Sequence, residues 1–213
     1  LKITVERPLR LNFTVNEERL ERFKNGSYFA ALAESKKRKD KKSIEKEIAE
    51  GQKIQSQILQ ALQPLKARFK SDQVIRNRET FAALLEAAFE KSTIKLDAAL
   101  KKALLAPGSL GERDPEADIC LDAKGNPEPD SELRDTENVP LPEGISLPLP
   151  LDYENAENKG KLDLDPLLAL VRDHCEAYLK REVLPYRPDA WIDHSKVKVG
   201  YEIPFNRHFY QYE

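Results

Sequence analysis

Two stretches of this chain repeat apolar residues at the spacing of an amphipathic helix, and together they cover about a quarter of its 213 residues. In residues 43–69 these side chains are Ile44, Ile48, Ile54, Ile58, Leu62, Leu65 and Phe69. Residues 77–105 repeat the pattern, while Gly51 and Pro64 are weak points of the first stretch. Because an apolar stripe must be buried, the pattern predicts a helical hairpin or an arm that packs on a partner's coiled coil.

A segment that is unsuited to regular helix follows these stretches. Nine of the 14 prolines lie between Pro107 and Pro166. Within this segment, Ile119 to Leu121 has the composition of a short strand that runs into a turn at residues 124–126. Residues 138–161 have the composition of an extended connector. We therefore predict a Pro/Gly-rich connector with a short hairpin over residues 107–165.

The start of the chain has the period of a β-strand. Residues 2–15 alternate apolar and polar side chains, and Pro8 confines this segment to a sheet edge or divides it into two short strands. We expect an edge strand whose sheet continues upstream. Asn16 then caps a helix that extends toward Leu32. The chain starts with Leu1 and contains no Met, which fits a fragment of a longer protein or a sequence from which modified methionines were lost.

The last third of the chain combines one helix with a segment rich in aromatic residues. Asp165 caps a helix over residues 166–182 that has a broad apolar face and stops before Pro185. Residues 196–203 alternate like a strand. The predicted fold class is mainly α with small β elements, as a helical hairpin or bundle with an irregular connector and short strands. The predicted regions are 1–15, 16–106, 107–165 and 166–213.

Charge and cysteine content exclude several classes of protein. The chain has 35 basic and 37 acidic residues, so it has no overall attraction to nucleic acid or to anionic membranes. It has no apolar run of about 18 residues that could span a bilayer. Two isolated cysteines, Cys120 and Cys175, form neither a disulfide framework nor a metal knuckle, which predicts a reducing compartment.

One basic run stands out against this balanced composition. It comprises Lys36, Lys37, Arg38, Lys39, Lys41 and Lys42. Such a run is usually a solvated helix end or loop, and the alternative is contact with DNA phosphates. These six residues are therefore the candidate phosphate contacts.

The three histidines do not have the spacing of a metal site. His174 lies on the apolar face of its predicted helix, which favours a packing role. Asp193, His194 and Ser195 contain the residue types of a catalytic triad, but triads are assembled from separated positions. A loop or turn role is therefore favoured for His194.

Other potential catalytic groups also lack the required arrangement. Cys175 follows His174 directly, so in a helix their side chains point about 100° apart. Asp114 and Asp118 lie in a proline-rich loop within a chain that has many acidic residues. There is no glycine-rich phosphate loop, and we predict no catalytic, cofactor-binding or metal-binding residue in this chain.

The aromatic residues are concentrated near the end of the chain. Seven of the 16 lie between Tyr186 and Tyr212. Trp191, Tyr201, Phe205 and Phe209 could fasten this segment to helix 166–182, stack on nucleic-acid bases beside nearby cations, or dock on a partner. The residues alone leave these three roles open.

Three blocks of the sequence resemble a known protein family. "KITVERPLRLNF" (2–13), "RDPEADICLDAKGNPEPDSELRDTENVPL" (113–141) and "REVLPYRPDAWIDHSKVKVGYEIPFNRHFY" (181–210) resemble the C-terminal part of the modification subunit of type I restriction-modification systems. The blocks cover about a third of the chain and follow the family's order. Residues 16–105 match the family only in their general helical character.

The resemblance implies a parent enzyme whose catalytic part lies elsewhere. Proteins of that family are N6-adenine DNA methyltransferases that use S-adenosylmethionine in the cytoplasm. The family's Asn-Pro-Pro motif is missing, because the only Asn-Pro pair is Asn126-Pro127 and it is followed by Glu128. The resemblance therefore implies that residues 1–15 are the exit strand of an upstream methyltransferase domain.

The resemblance also implies partners. The family's subunits assemble with a specificity subunit that reads DNA and with a restriction subunit that cuts it. We expect the chain to be a non-catalytic assembly region that docks on the specificity subunit and helps to hold the complex on DNA. The docking candidates are then Trp191, Tyr201, Phe205 and Phe209. The alternative is a nucleic-acid-binding module that uses residues 36–42 and the aromatic tail.

Overall fold

The structure is a computed structural model that describes residues 1–35, 41–69, 73–140 and 165–198. It has α-helices and a few short antiparallel strands, which confirms the predicted mainly α class with small β elements. The chain divides into two compact units. Residues 9–128 form the helical unit, and residues 1–8 together with 129–213 form the sheet unit.

In its described residues, the helical unit contains five helices and two short strands. They are β2 (Leu11–Phe13), α1 (Glu17–Lys24), α2 (Ser27–Leu32), α3 (Lys41–Arg68), α4 (Arg78–Glu90), α5 (Ala98–Leu105) and β3 (Gly111–Arg113). Ile58, Leu62 and Leu65 of α3 are buried in one hydrophobic core with Phe81 and Leu85 of α4. The predicted stripes therefore do pair as neighbouring helices within the chain.

Two helices that the sequence predicts as continuous are each divided. Asn16 caps α1 by accepting a hydrogen bond from the backbone N–H of Arg19, as predicted, but α1 ends at Lys24. The chain turns before α2 begins. This turn brings Phe23 and Phe29 into edge-to-face contact, with 5.1 Å between their ring centroids. In the same way, residues 91–97 separate α4 from α5.

Helix α3 continues through both of its predicted weak points. Pro64 lies inside the helix, which ends four residues later at Arg68. Gly51 is buried where the end of α2 crosses α3, and a Cβ atom there would lie 2.6 Å from the carbonyl carbon of Leu32. Glycine is therefore the residue that permits this close approach.

The predicted short hairpin is present in the helical unit. Leu121 bridges to Pro127, and Asp122 accepts hydrogen bonds from the backbone N–H groups of Lys124 and Asn126. Gly125 closes the turn with a φ of +82°. In the described part of the predicted connector, residues 107–140, the structure has turns and strands but no helix.

The part of the sheet unit that the structure describes has three strands and one α-helix. They are β1 (Lys2–Glu6), β4 (Asp135–Asn138), α6 (Asp165–Tyr178) and β5 (Trp191–Ile192), and the strand order is β4-β1-β5. Both pairings are antiparallel: Thr4 lies opposite Thr136, and Glu6 lies opposite Trp191. Helix α6 begins at Asp165 and is followed by a π-helical turn, Leu179–Val183, so the helical structure stops before Pro185 as predicted.

The prediction of an edge strand at residues 2–15 is wrong. β1 is the central strand, and its partners lie downstream in the sequence. Pro8 is outside β1, so it removes no donor from the paired residues. The alternative of two short pieces is correct, because β1 and β2 pair with different strands. An upstream domain stays a prediction.

One face of this sheet forms a second hydrophobic core. Ile3 and Val5 of β1 and Ile192 of β5 pack with Val171 and Cys175 of α6. Because side chains alternate along a strand, the neighbours of these residues lie on the other face. In the part of the chain that the structure describes, no helix has the length and apolar character needed to cross a membrane.

Candidate docking face

The sheet face that lies opposite α6 is polar. Its central strand contributes Lys2, Thr4 and Glu6, which alternate with the core residues Ile3 and Val5. Directly opposite residues of an antiparallel pair share a face. We use "polar face" for the following set: Lys2, Thr4, Glu6, Thr136, Asn138, Trp191 and Lys198.

Trp191 is the one docking candidate that the structure describes. Its neighbours Ala190 and Ile192 are buried in the core under α6, whereas Trp191 is half-buried and lies opposite Glu6. Among the described residues, it belongs to neither hydrophobic core. For Trp191, this position does not support the suggested role of fastening the segment to helix 166–182. Tyr201, Phe205 and Phe209 lie outside the described residues.

A buried carboxylate anchors the polar face. The side chain of Glu6 is 2% exposed, and its Oε1 accepts hydrogen bonds from Arg134 Nε at 2.8 Å and Lys196 Nζ at 3.0 Å. Lys196 also lies 2.7 Å from Asp193 Oδ2. A charge that is buried in this way must be paired, and the two cations neutralise it.

The same network sets the protonation states near Trp191. Hydrogen bonds from Lys196 and then from Ser195 lower the pKa of Asp193. Asp193 and then Glu6 raise the pKa of Lys196. The ion pair between Lys196 and Asp193 is therefore formed at neutral pH. It fixes the short 3-10 helix His194–Lys196, which directly follows the strand that carries Trp191.

The histidines have structural partners. His194 Nε2 lies 2.6 Å from Glu176 Oε1 on α6, and His174 Nε2 lies 2.8 Å from the carbonyl oxygen of Pro140. The hydroxyl of Ser195 donates to Asp193 rather than to His194. These contacts support the predicted turn role, because a triad requires the histidine to contact the nucleophile.

Both cysteines are free thiols and are buried. Burial raises the pKa of the Cys175 thiol and also that of the Cys120 thiol. Each thiol therefore stays protonated at neutral pH and behaves as a small apolar side chain. Neither one has the lowered pKa of an activated nucleophile.

The acidic pair of the loop is part of the helical unit's framework. Asp114 accepts hydrogen bonds from Asn12 at 3.0 Å and from Arg76 at 2.9 Å, and these bonds lower the pKa of Asp114. Asp118 accepts a hydrogen bond from Asn77. Among the residues that the structure describes, no three His, Cys, Asp or Glu side chains are grouped so that they could hold a metal ion.

The predicted phosphate contacts are only partly described. Lys41 and Lys42 are exposed at the start of α3, while Lys36, Lys37, Arg38 and Lys39 lie outside the described residues. A shallow groove of about 380 Å³ lies between α4, α5 and residues 121–128. It is lined by charges of both signs, including the paired Arg78 and Glu128. This mixture favours neither an anionic nor a cationic ligand.

Sequence reasoning missed Glu6 and Arg134 as parts of this site. The alternation of β1 places Glu6 on the face away from the apolar core, which by itself predicts exposure. Its burial comes from residues that lie 128 and 190 positions away in the chain. The signal that was present is an acidic residue at the end of a strand with two apolar residues, Ile3 and Val5.

Comparison with protein-family models, curated proteins and solved structures finds no match to this chain.

Proposed function

We propose that this chain is the C-terminal, non-catalytic assembly region of a type I restriction-modification DNA-adenine methyltransferase subunit. It docks on the specificity subunit in the cytoplasm, in a complex that also holds the restriction subunit and DNA. The observation that carries the docking role is the position of Trp191, half-buried on a polar sheet face and outside both described cores. Interface hot spots are enriched in Trp, Tyr and Arg.

The folding of the three family-like blocks supports this proposal. β1 belongs to block 2–13, and its partners β4 and β5 belong to blocks 113–141 and 181–210. In the helical unit, β2 of the first block also pairs with β3, which ends at the first residue of the second block. The three blocks that resemble the family thus pair with one another in β-sheets, as expected if they form one structural region of the family.

Substitution of Trp191 tests the docking role. We expect Trp191→Ala to weaken binding of a type I specificity subunit by about 2 kcal/mol, or about 30-fold in Kd, because truncation removes a large interface contact. The melting temperature should stay unchanged, since Trp191 is outside both described cores. Titration calorimetry of the full chain measures the binding, and thermal unfolding measures the stability.

Tyr186→Ala is the matched control for this test. Tyr186 is an aromatic residue of the same unit but is 76% exposed, so its loss should change neither measurement. Normal assembly of a stable Trp191→Ala variant would contradict the docking role. If Trp191→Ala keeps assembly but loses DNA affinity at low salt, the nucleic-acid-binding alternative is favoured.

Cofactor binding provides an independent test of the non-catalytic assignment. We expect the chain alone neither to bind S-adenosylmethionine nor to methylate adenine in DNA, because it lacks an Asn-Pro-Pro motif and a glycine-rich cofactor loop. Titration calorimetry with S-adenosylmethionine checks the binding, and transfer of a labelled methyl group to DNA checks the activity. Stoichiometric binding at micromolar concentration would refute the assignment.

A further inference from the structure

Two lysines lie side by side at one end of the polar face. Lys2 and Lys198 exchange backbone hydrogen bonds of 2.8 and 2.9 Å, so they form a directly opposite antiparallel pair. The Cα atoms of such a pair are about 5.5 Å apart, and the side chains project from the same face. Both residues are exposed.

The charge of this lysine pair is not neutralised by the described neighbours. Across the sheet, the residue opposite Lys2 is Asn138. Among the described residues, no carboxylate forms an ion pair with Lys2 or Lys198. Like charges directly opposite each other destabilise a sheet. An anionic group that binds between the two ammonium groups would relieve this repulsion.

The charges of Glu6 and of the residues that surround it are already balanced. Arg134 and Lys196 are paired with Glu6 and Asp193, two cations with two anions. Among the described residues of the polar face, the positive charge without an anionic partner is therefore that of Lys2 and Lys198, although the whole chain has a net charge of −2. This local excess can steer an acidic surface to one end of the face.

We propose that the polar face receives an acidic protein segment, whose carboxylates bind between Lys2 and Lys198 while an apolar neighbour packs on Trp191. This inference rests on the proposed docking function and names the chemistry of the partner surface. A protein is favoured over nucleic acid because acidic side chains can be confined to the lysine end. A nucleic-acid strand has a phosphate at every step and is bound through cations along its length, whereas among the described residues of this face only Lys2 and Lys198 lack an anionic partner.

The test compares two double variants of equal charge in the full chain. Lys2→Glu with Lys198→Glu reverses the lysine pair, and Arg172→Glu with Lys180→Glu reverses two exposed cations on α6 and the π-helical turn. We expect the first variant to bind the specificity subunit with an association rate constant at least about tenfold lower at 50 mM NaCl. The difference should shrink at 500 mM NaCl, and the α6 variant should bind at the wild-type rate.

Several results would overturn the inference. An equal loss in the α6 variant would show that only total charge matters. If Trp191→Ala weakens assembly but the Lys2, Lys198 variant binds at the wild-type rate, the acidic segment is wrong and the docking function stands. If Trp191→Ala and the Lys2, Lys198 variant both assemble normally, the docking function itself is wrong. If the chain binds a 20-base-pair DNA duplex and only this binding is lost in the lysine variant, the occupant is nucleic acid.

Discussion

Gly51→Ala is expected to destabilise the protein by at least about 3 kcal/mol, although alanine normally stabilises a helix by about 1 kcal/mol over glycine. Gly51 is buried in the middle of α3, where the end of α2 crosses it. An added Cβ would lie 2.6 Å from the carbonyl carbon of Leu32 and 2.9 Å from the Cα of Ala33. These are backbone atoms, so a side-chain rotation cannot relieve the overlap, and the two helices must move apart.

Urea unfolding of the full chain measures this loss of stability. Gln52→Ala is the matched control, because Gln52 is the next residue of the same helix and is exposed. Substitutions of this kind change stability by less than about 0.5 kcal/mol. If Gly51→Ala is as stable as Gln52→Ala or more stable than the wild type, the close crossing of α2 and α3 is wrong.

Arg19→Ala is expected to cost about 3 kcal/mol, because it removes the donor of one buried and one partly buried backbone carbonyl and an ion pair. The Arg19 side chain is 6% exposed and donates to the carbonyl oxygens of Asn12, at 3.1 Å, and Leu110, at 2.8 Å. It also donates to Asn12 Oδ1 and pairs with Glu112 at 2.8 Å. One guanidinium thus joins α1 to β2 and to the segment that leads into β3.

Burial lowers the pKa of Arg19, and Glu112 opposes this effect. The guanidinium still stays charged at neutral pH, because arginine is protonated throughout the physiological range. Arg19→Lys should recover only part of the lost stability, since an ammonium group lacks the planar fork that reaches several acceptors.

Arg22→Ala provides the comparison on the same helix. Arg22 is 38% exposed and pairs with Glu18 and with Glu112. Exposed ion pairs contribute less than about 1 kcal/mol, so this variant should unfold close to the wild-type urea concentration. Equal losses from Arg19→Ala and Arg22→Ala would contradict the buried role of Arg19.

The helices could be predicted from local pattern, because each stripe of apolar residues specifies its own helix and its own buried face. The cap at Asn16 and the helix start at Asp165 were also predictable from nearby residues. The breaks at residues 25–26 and 91–97 were missed because the apolar spacing continues across them. Packing requirements, such as the contact of Phe23 with Phe29, decide where these helices turn.

The polar face could not be predicted in the same way. Its strands are far apart in the sequence, and no local pattern specifies that β1 pairs on both sides. Trp191 was identified from its residue type, but its separation from the core depends on register, because a shift of one residue would exchange it with Ile192. Glu6 is buried only because Arg134 and Lys196 reach it from distant segments.

The discontinuous sheet unit has a consequence for the order in which the chain folds during synthesis. The helical unit is one continuous segment, and its two ends meet through the hydrogen bond from Leu9 N–H to the carbonyl oxygen of Glu128 at 2.8 Å. It can complete its core as soon as residue 128 has left the ribosome. β1 is made before the helical unit, but it must wait for β4 and then for Trp191 and Ile192.

During that interval, Ile3 and Val5 have no core of their own, and both edges of β1 are unpaired. An unpaired apolar strand is a site for mispairing and aggregation. The nascent chain is therefore vulnerable at β1 until Trp191 and Ile192, almost 200 residues later, have emerged to pair with it.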